Sequence, residues 1–343
     1  MEKLRIGLMG FGQIGRQIYR LSLESPRFDP VAISDIGQPD ILHHLLGKSA
    51  GGATKVDLDG NYLVARGGGG EHRTRLMSAE RPGEIPWDLL GVDVVIDATG
   101  RYRSRASLAP HLDNGAWRVV TSSLPDGDVD RVVLCGVNED SAVSADRIVS
   151  AGSASTAAMA LALRVVTAAR PVAHATMTSV HAYTRDQALY DHAGPDYRRS
   201  RAAAGNIIPN TTPALKWVER ALPVVQGKLS GFALNVPVAA GSLLDITLAF
   251  QDKAMAADEI NGLFAAAAEA EPELIAVTHD PIVSSDVRGC SQSILIDLQG
   301  TLAAGEKLTK LLAWHETLGH ARRILDVAAL YAKVDAETTT GAF

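Results

Sequence analysis

The sequence predicts an α/β fold class, with two domains that differ in the kind of sheet they contain. Up to about residue 150, short apolar runs alternate with amphipathic ones, which favours a parallel sheet covered by helices. Beyond that point, long strands with partial alternation follow one another, which is typical of an α+β domain built on a mostly antiparallel sheet. A chain of 343 residues is long enough to form both cores. We therefore predict domains at 1–150 and 151–316.

The first domain is predicted from its buried strands, because these runs are apolar without a strict period of two. The predicted strands are 4–9, 30–35, 93–99, 117–123 and 146–150, and the predicted helices are 13–25, 39–47 and 103–113. The segment 47–78 breaks this alternation. Within it, a hairpin is expected around Asp59–Gly60, and the four glycines at 67–70 predict a mobile loop.

The second domain is predicted to begin with a helix and to continue with long strands. The helices are predicted at 155–169, 257–270 and 317–334, and the strands at 174–184, 228–238, 241–251, 291–303 and 307–315. The last of these helices is amphipathic. We expect it to return and cover the first domain.

The composition argues against several classes of function. The net charge of −6 gives no positive surface for nucleic acid or for an anionic membrane. No run of 18 apolar residues and no signal-peptide pattern occurs, so we predict a cytoplasmic protein without a transmembrane helix. Cys135 and Cys290 have no zinc-site spacing, and His315 and His320 lack convergent partners, so no metal is predicted.

The segment GFGQIGR at 10–16 matches the spacing G-x-G-x-x-G between a predicted strand and a predicted helix. Gly10 permits a tight turn, Gly12 allows backbone N–H groups to approach a pyrophosphate, and Gly15 allows the helix to pack closely on the strand. Asp35 lies 20 residues beyond Gly15, where its carboxylate can bind ribose hydroxyls and would repel a 2′-phosphate. The first domain is thus predicted to be a Rossmann domain that prefers NAD to NADP.

Six segments of the sequence recur together in one family of enzymes. They are GFGQIGR at 10–16, AISD at 32–35, DATG at 97–100, SVHAYT at 179–184, GNIIPNTTP at 205–213 and HDPIVSSD at 279–286. In this order they make the chain, from residue 3 to residue 334, resemble the phosphorylating glyceraldehyde-3-phosphate dehydrogenase family. The resemblance implies an NAD-binding domain, a second domain with a catalytic cysteine and histidine, a small-molecule substrate and a homotetramer.

The resemblance also implies roles for single residues. Those that match the family's NAD contacts are Gly10, Phe11, Gly12, Gln13, Ile14, Gly15, Asp35, Arg81, Thr99, Gly100 and Ser122. Those that match substrate or phosphate contacts, or flank the nucleophile, are Ser153, Ser155, Thr184, Arg199 and Thr212. His181 matches the catalytic histidine, which draws the proton from the thiol. The segment 197–210 resembles a loop that reaches the neighbouring subunit.

The predicted reaction centre departs from the family pattern. Ala154 stands at the position of the nucleophilic cysteine, and Ala157 stands at that of an asparagine three residues later. Asn235 replaces the arginine that holds the substrate phosphate. Pro213 replaces a glycine and so removes an N–H that could hold phosphate. The segment 314–319, where the family contacts the nicotinamide amide, is one residue shorter.

Without a thiol, the covalent step of the phosphorylating reaction has no nucleophile. Ser153 or Ser155 could substitute, but a serine hydroxyl is a far weaker nucleophile, and the alternative is that both serines cap the following helix. Three interpretations stay open. One is a relative that retains glyceraldehyde 3-phosphate or a similar sugar phosphate. Another is direct hydride transfer with an aldehyde or alcohol, and the third is a non-catalytic NAD-binding scaffold or regulatory paralogue.

Two further features have alternative interpretations. His181 would be the proton donor or base in direct hydride transfer, but it could also be a histidine of the core. Arg185, Arg198, Arg199 and Arg201 form a cationic cluster in the sequence. This cluster predicts either an anion site, a solvated loop or a subunit contact.

Overall fold

The computed structural model describes residues 3–49, 54–67, 70–184 and 187–340. The chain divides into two compact units, of which the first combines Met1–Gly152 with Ala321–Phe343 and the second is Ser153–His320. Each unit has a sheet of its own, with nine strands in the first and seven in the second. Arg185, which belongs to the predicted cationic cluster, lies outside the described residues.

The first unit is a largely parallel sheet with helices between its strands. Its strands are β1 (Leu4–Met9), β2 (Phe28–Ser34), β3 (Lys55–Asp59), β4 (Tyr62–Gly67), β5 (Gly70–Met77), β6 (Val94–Asp97), β7 (Arg118–Thr121), β8 (Arg131–Val132) and β9 (Ile148–Ser150). Its helices are α1 (Gln13–Glu24), α2 (Pro39–Lys48) and α3 (Arg105–Asp113). The strand order is β3-β4-β5-β2-β1-β6-β7-β9-β8. The predicted parallel-sheet domain is therefore confirmed.

The core of the first unit forms where apolar strands meet the apolar sides of helices. Ile6, Ile33 and Ile96 of three neighbouring strands are fully buried. They belong to one apolar cluster with Ile324 and Tyr331 of the C-terminal helix. Burial of such side chains is the main source of stability, at about 25 cal/mol per Å² of apolar surface. The C-terminal helix is therefore part of this core.

Segment 47–78 supplies the antiparallel edge of this sheet. The predicted hairpin is confirmed, because β3 pairs antiparallel with β4 and the register joins Asp59 to Tyr62. The sequence does not predict β5, since only two of its eight residues, Thr74 and Leu76, are buried. Of the predicted glycine loop, Gly67 ends β4 and Gly70 begins β5, and residues 68–69 lie outside the described residues.

The second unit is a mostly antiparallel sheet with helices. Its elements are α4 (Ala154–Ala169), β10 (Val172–His181), β11 (Ile208–Asn210), α5 (Ala214–Ala221), β12 (Leu229–Asn235), β13 (Ser242–Phe250), α6 (Ala257–Ala270), β14 (Ile275–Thr278), β15 (Ile294–Ala304) and β16 (Leu308–His315). The strand order is β11-β12-β10-β13-β16-β15-β14. The last helix, α7 (Thr317–Thr340), begins in this unit and continues in the first from Ala321.

The predicted antiparallel character of this sheet is confirmed, although two of its pairs are parallel. β13 pairs antiparallel with both β10 and β16, and β15 and β16 form a hairpin. In contrast, β12 pairs parallel with β10, and β14 pairs parallel with β15. The sequence does not predict β8, β11, β14 or α5, because runs of two to eight residues leave too few positions to show a period. Within the described ranges, no helix has the length and apolar character needed to span a membrane.

Candidate active site

The predicted NAD contacts of the first unit gather at one edge of its sheet. β1, β2, β6 and β7 run parallel, so their carboxyl ends share this edge. The register places Met9 beside both Ser34 and Asp97. The predicted residues Gly10, Asp35, Thr99 and Ser122 follow these strand ends within two residues. In open α/β sheets, ligands bind in the crevice at this edge.

Each glycine of the GFGQIGR segment has its own structural reason. Gly10 has φ +90°, and a Cβ there would lie 2.8 Å from the backbone nitrogen of Thr99. A Cβ on Gly15 would collide with the carbonyl oxygen of Gly10, so only glycine lets α1 approach this turn. Next to Gly12, a Cβ would meet no described atom within 4 Å. Gly12 is the N-cap of α1 and carries no capping side chain, so this open helix end suits a pyrophosphate.

Asp35 is held so that it borders the glycine turn. Its Oδ2 accepts the N–H of Phe11 at 2.7 Å, and its Oδ1 accepts the N–H of Gly37 at 2.9 Å. Each carboxylate oxygen can accept a second hydrogen bond, so capacity remains for ribose hydroxyls. Arg16 donates to the carbonyl oxygen of Phe11 at 3.0 Å. Burial lowers the pKa of Arg16, and the nearby Asp35 opposes that shift.

Thr99 and Gly100 rest on a chain of buried polar groups. Asp97 Oδ1 accepts the N–H of Thr99 at 3.0 Å and its hydroxyl at 2.6 Å. The Trp87 indole N–H donates to His111 Nδ1 at 3.0 Å, so the proton of a neutral His111 is on Nε2, which lies 3.4 Å from Asp97 Oδ2. Gly100 has φ +68°, a conformation that favours glycine. This buried chain fixes the loop that follows β6.

The remaining predicted NAD contacts lie on the same unit. Gln13 and Ile14 begin α1, and the N–H of Ser122 donates to the carbonyl oxygen of Asp97 at 2.9 Å. Arg81 is exposed, and its N–H donates to the Glu84 carboxylate at 3.1 Å. The open helix end, the acceptor at Asp35 and the clearance beside Gly12 together fit a dinucleotide.

Replacing Gly12 with alanine is expected to weaken NAD binding by about tenfold or more while leaving the fold intact. The backbone angles of Gly12, φ −67° and ψ −161°, suit alanine, but the methyl group would occupy the space that the pyrophosphate needs. Calorimetric titration with NAD measures the effect. Gly47→Ala in α2 is the matched control, since a Cβ there also meets no described atom within 4 Å. Equal NAD affinity of Gly12→Ala and the unmodified chain would contradict the assignment.

A row of four polar side chains crosses one end of the sheet in the second unit. The register pairs His181 with Asn235 in β12 and pairs Ser242 in β13 with His315 in β16. The register also joins Val180 to Leu243, so His181 comes beside Ser242. Because side chains alternate across a strand, the four residues lie on the same face. The next row on this face is apolar at Leu244 and Ala313, which are fully buried. We call Asn235, His181, Ser242 and His315 the polar row.

His181 is the member of this row that the sequence predicts to be catalytic. It ends β10, and its Nε2 lies 3.0 Å from the hydroxyl of Ser179, which is fully buried. Burial lowers the pKa of His181, and the positive charge of Arg199 adds to the effect. The imidazole is therefore neutral near pH 7 and can accept a proton. The structure places the predicted Arg199 close enough to influence this ring.

His315 is considered in the sequence analysis only as a candidate metal ligand. Its ring centroid lies 6.1 Å from that of His181, with the ring planes at 67°. Burial lowers the pKa of His315 to about 3, with smaller contributions from His181 and His320, so this ring also stays neutral. Its Nε2 is buried and forms no hydrogen bond with a described residue. Among the described residues, no group of three or more His, Cys, Asp or Glu side chains is placed to hold a metal ion.

The start of α4 carries the predicted nucleophile position. Ala154 is its first residue, and Ser153 is the N-cap, whose hydroxyl accepts the N–H of Thr156 at 3.2 Å. The Ser153 hydroxyl also lies 2.7 Å from the Thr156 hydroxyl and 3.3 Å from that of Ser155. Ser153 therefore caps the helix, as one of the two interpretations of these serines expects. Ser155 is buried and reaches the cap through its own hydroxyl.

Four uncharged side chains form a hydrogen-bonded group next to His181, which we call the amide cluster: Thr184, Gln187, Asn210 and Asn235. Asn235 is buried, donates to Gln187 Oε1 at 3.1 Å and accepts from Asn210 Nδ2. Gln187 Oε1 also accepts the N–H of Thr184 at 2.9 Å and its hydroxyl at 3.3 Å. The structure thus joins the predicted residues Thr184 and Asn235 through Gln187, which the sequence does not single out.

Thr212, a predicted substrate residue, and Arg201, a member of the predicted cationic cluster, have local partners of their own. Thr212 precedes α5, and its hydroxyl accepts the N–H of Ala214 at 3.2 Å. Arg201 is exposed and pairs with Asp191 at 3.0 Å, as a solvated loop residue would. Several large apolar side chains near these arginines are more than half exposed: Leu189, Tyr190, Tyr197 and Ile207. This exposure is unusual for such side chains and is compatible with the predicted subunit contact.

The fold and these two groups of residues are typical of an NAD-binding oxidoreductase. A family model described as the NAD binding domain of glyceraldehyde 3-phosphate dehydrogenase matches residues 4–105, and one described as its C-terminal domain matches residues 153–317. The chain belongs to the glyceraldehyde-3-phosphate dehydrogenase family, and its cofactor is NAD.

Relatives of known name match the chain over nearly its whole length. Glyceraldehyde-3-phosphate dehydrogenase 1 of Bacillus subtilis is 36% identical over 337 residues, which cover 96% of this chain and 98% of that protein. The enzyme of Geobacillus stearothermophilus is 36% identical over 336 residues, with 96% and 98% covered. That of Kitasatospora aureofaciens is 38% identical over 338 residues, with 96% and 99% covered. The chain is thus similar to these dehydrogenases in both domains.

Proposed function

We propose that this chain interconverts an aldehyde and an alcohol by direct hydride transfer with NAD, without a covalent intermediate. The observation that carries the proposal is that the chain has a methyl side chain at residue 154 and also a neutral, half-buried imidazole at residue 181. Alanine cannot attack a carbonyl, whereas a neutral imidazole can take or return a proton. The chain therefore retains the acid–base partner of the family without the nucleophile.

The two cysteines of the chain support a route without a thiolate. Cys135 belongs to the first unit, where burial raises the pKa of its thiol to about 12. Burial also raises the pKa of Cys290, whose thiol donates to Gln292 Oε1 at 3.4 Å. A thiol reacts as its thiolate, and neither side chain favours that form near pH 7. Ser153 is committed to capping α4, which argues against a serine substitute.

The proposed reaction balances without any further reactant: RCH2OH + NAD⁺ ⇌ RCHO + NADH + H⁺. Bound NAD supplies the hydride acceptor or donor. In the direction of oxidation, the neutral ring of His181 accepts the hydroxyl proton of the alcohol. For reduction, the protonated ring returns that proton to the carbonyl oxygen. The hydrogen bond between Ser179 and His181 holds the ring in place during both steps.

The experiment that tests this proposal mixes the unmodified protein with NADH and a panel of aldehydes, and follows loss of absorbance by NADH. We expect oxidation of NADH by at least one aldehyde, without any requirement for inorganic phosphate. Product analysis should show the corresponding alcohol. If no aldehyde of the panel is reduced, although calorimetry demonstrates that NADH binds, the proposal is contradicted.

Ala154→Cys distinguishes direct transfer from a simple loss of the thiol. If the site is otherwise that of a phosphorylating enzyme, the variant should produce NADH from glyceraldehyde 3-phosphate and phosphate. We expect no such recovery, because Asn235 and Pro213 also differ from the family pattern. Recovery would mean that the parent substrate still binds and that only the nucleophile is missing. Ala158→Cys, a change of the same kind at a buried position of α4, serves as the control.

A second candidate is a non-catalytic NAD-binding scaffold or regulatory paralogue. The inert methyl group of Ala154, in a chain that keeps the glycine turn and Asp35, favours it. The aldehyde panel decides between the two, since a scaffold binds the dinucleotide without turnover. In either case, we propose that the protein is a cytoplasmic homotetramer, a proposal supported by the family and by the exposed Tyr190 and Tyr197, which are 83% and 97% accessible.

A further inference from the structure

We infer that the amide cluster binds hydroxyl groups of the substrate, so that the substrate is an uncharged hydroxyaldehyde or its alcohol rather than a phosphate ester. The inference rests on the proposed function, which describes the reaction at the carbonyl group of the substrate. The inference itself concerns the end of the substrate that does not react. The hydrogen-bonding capacity and the charge of the cluster carry it.

The amide cluster is fixed beside the proposed acid–base residue. Asn235 is the register partner of His181 on the adjacent parallel strand, so the two side chains leave the sheet next to each other. Asn235 is only 5% exposed, and both ends of its amide are hydrogen-bonded within the cluster. A substrate whose carbonyl group meets His181 would therefore lie beside these hydrogen-bonded, uncharged side chains.

The unused hydrogen-bonding capacity of the cluster matches a hydroxyl group. Gln187 Oε1 accepts three hydrogen bonds, which come from Asn235 and twice from Thr184, whereas its Nε2 makes none with a described residue. Thr184 donates its hydroxyl proton to Gln187, so its oxygen can only accept another. The cluster thus offers N–H donors from Gln187 and an acceptor from Thr184. A hydroxyl group both donates and accepts, while a phosphate dianion only accepts.

The charge of the cluster points in the same direction. Proteins hold phosphate with arginine, lysine or several converging N–H groups, because a desolvated anion needs positive charge. All four members of the cluster are neutral, and the oxygens of Asn235 and Gln187 would repel phosphate oxygens. Arg199 is not a member of the cluster, and its positive charge lowers the pKa of His181. An uncharged tail with hydroxyl groups fits the cluster at a lower desolvation cost.

The turnover test compares three aldehydes on the same protein. Glyceraldehyde should have a kcat/KM about tenfold or more above those of glyceraldehyde 3-phosphate and 2-methylbutyraldehyde, in which methyl groups replace both hydroxyls. Gln187→Leu should reduce the preference for glyceraldehyde over 2-methylbutyraldehyde to near unity. Gln187→Lys should shift the preference toward the phosphate ester. Gln251→Leu, at an exposed glutamine of the same unit, should leave every ratio unchanged.

A binding test separates this inference from the proposed reaction. Glyceramide and 2-methylbutyramide resemble the two aldehydes but do not accept hydride, so their affinities in the presence of NADH do not depend on turnover. We expect glyceramide to bind about tenfold more tightly, and Gln187→Leu to remove that difference. If glyceramide binds in this way but no aldehyde turns over, the inference holds and the proposed reaction fails. Turnover without any preference for hydroxyl groups, or equal binding of the two amides, would overturn the inference and leave the reaction standing.

Discussion

Replacing Asp335 with alanine is expected to lower the free energy of unfolding by about 3 kcal/mol. Asp335 of α7 receives two hydrogen bonds from the guanidinium of Arg118, at 2.6 and 3.0 Å, within the first unit. The Arg118 side chain is only 1% exposed, whereas that of Asp335 is 25% exposed, which places the effect at the lower end for buried ion pairs. Removal of the carboxylate leaves a buried positive charge without its counterion. Chemical denaturation measures the change.

The remaining contacts of the pair explain why the loss is not offset locally. Arg118 also donates to the carbonyl oxygens of Asp146 and Ser144, at 2.7 and 3.0 Å, and its guanidinium lies 4.4 Å from the ring centroid of Tyr331. These groups hold the guanidinium in place but do not neutralise it. Glu337→Ala, which removes an exposed partner of Lys333 on the same helix, should change stability by about 0.5 kcal/mol or less. A similar small change for Asp335→Ala would contradict the argument.

The same ion pair predicts a loss of stability in acid. Burial by itself would raise the pKa of Asp335, but hydrogen bonds from Arg118, Ser144 and Trp117, together with the positive charge of Arg118, outweigh it and lower the pKa below its usual value. A carboxylate whose folded pKa is depressed stabilises the fold above its unfolded pKa, and this contribution disappears as the pH falls through the folded value. The difference in stability between the unmodified chain and Asp335→Asn should therefore shrink below pH 4.

Replacing His181 with asparagine is expected to lower kcat/KM for the alcohol or aldehyde substrate by about 10²- to 10⁴-fold, the usual contribution of a general acid–base group. Asparagine keeps a polar, uncharged side chain at this position but cannot carry a proton between substrate and solvent. NAD affinity should stay unchanged, because the residues that fit the dinucleotide belong to the first unit. Steady-state kinetics with the best substrate of the panel, together with calorimetry, measure both quantities. A loss below threefold would show that His181 is only a structural residue.

The pH dependence of the two directions adds a test that a structural role would not satisfy. Burial and Arg199 lower the pKa of His181 below 6.5, so the free base dominates at neutral pH. Alcohol oxidation uses that base, and its kcat/KM should be level near pH 7 and decline as the pH falls through the folded pKa. Aldehyde reduction uses the protonated ring and should increase over the same interval. In the His181→Asn variant, neither the decline of alcohol oxidation nor the increase of aldehyde reduction over this pH interval should remain.

The sequence determines the fold of the first unit and its cofactor edge to a large extent. Apolar strands that alternate with amphipathic helices have few other ways to bury their surface, and the glycine spacing encodes a turn that other residues would block. The same local reasoning finds the hairpin at Asp59–Gly60, because turn chemistry acts over only a few residues. The lack of a nucleophile at residue 154 can also be predicted from the sequence, because it depends on the chemistry of the alanine side chain and not on packing.

The second unit shows what sequence patterns leave undetermined. Period-two patterning marks β10, β12, β13 and β16 without stating which strand lies beside which, and the parallel pairing of β10 with β12 is not local. That pairing puts Asn235 beside His181. The short elements β11 and α5 have too few residues for a detectable period, so Asn210 could not be assigned to the same site.

By itself, the sequence determined an α/β fold class with two kinds of sheet, a glycine turn predicted to bind NAD, a candidate histidine and no thiol at the predicted nucleophile position. Only the tertiary structure decided that His315 lies 6.1 Å from His181, that Gln187 joins Thr184 to Asn235, and that Arg118 is buried against Asp335. The physical reason is the distance along the chain over which each kind of interaction acts. Backbone turns, caps and amphipathic periods depend on neighbours in the chain, whereas each of these three arrangements includes a contact between residues at least 48 positions apart.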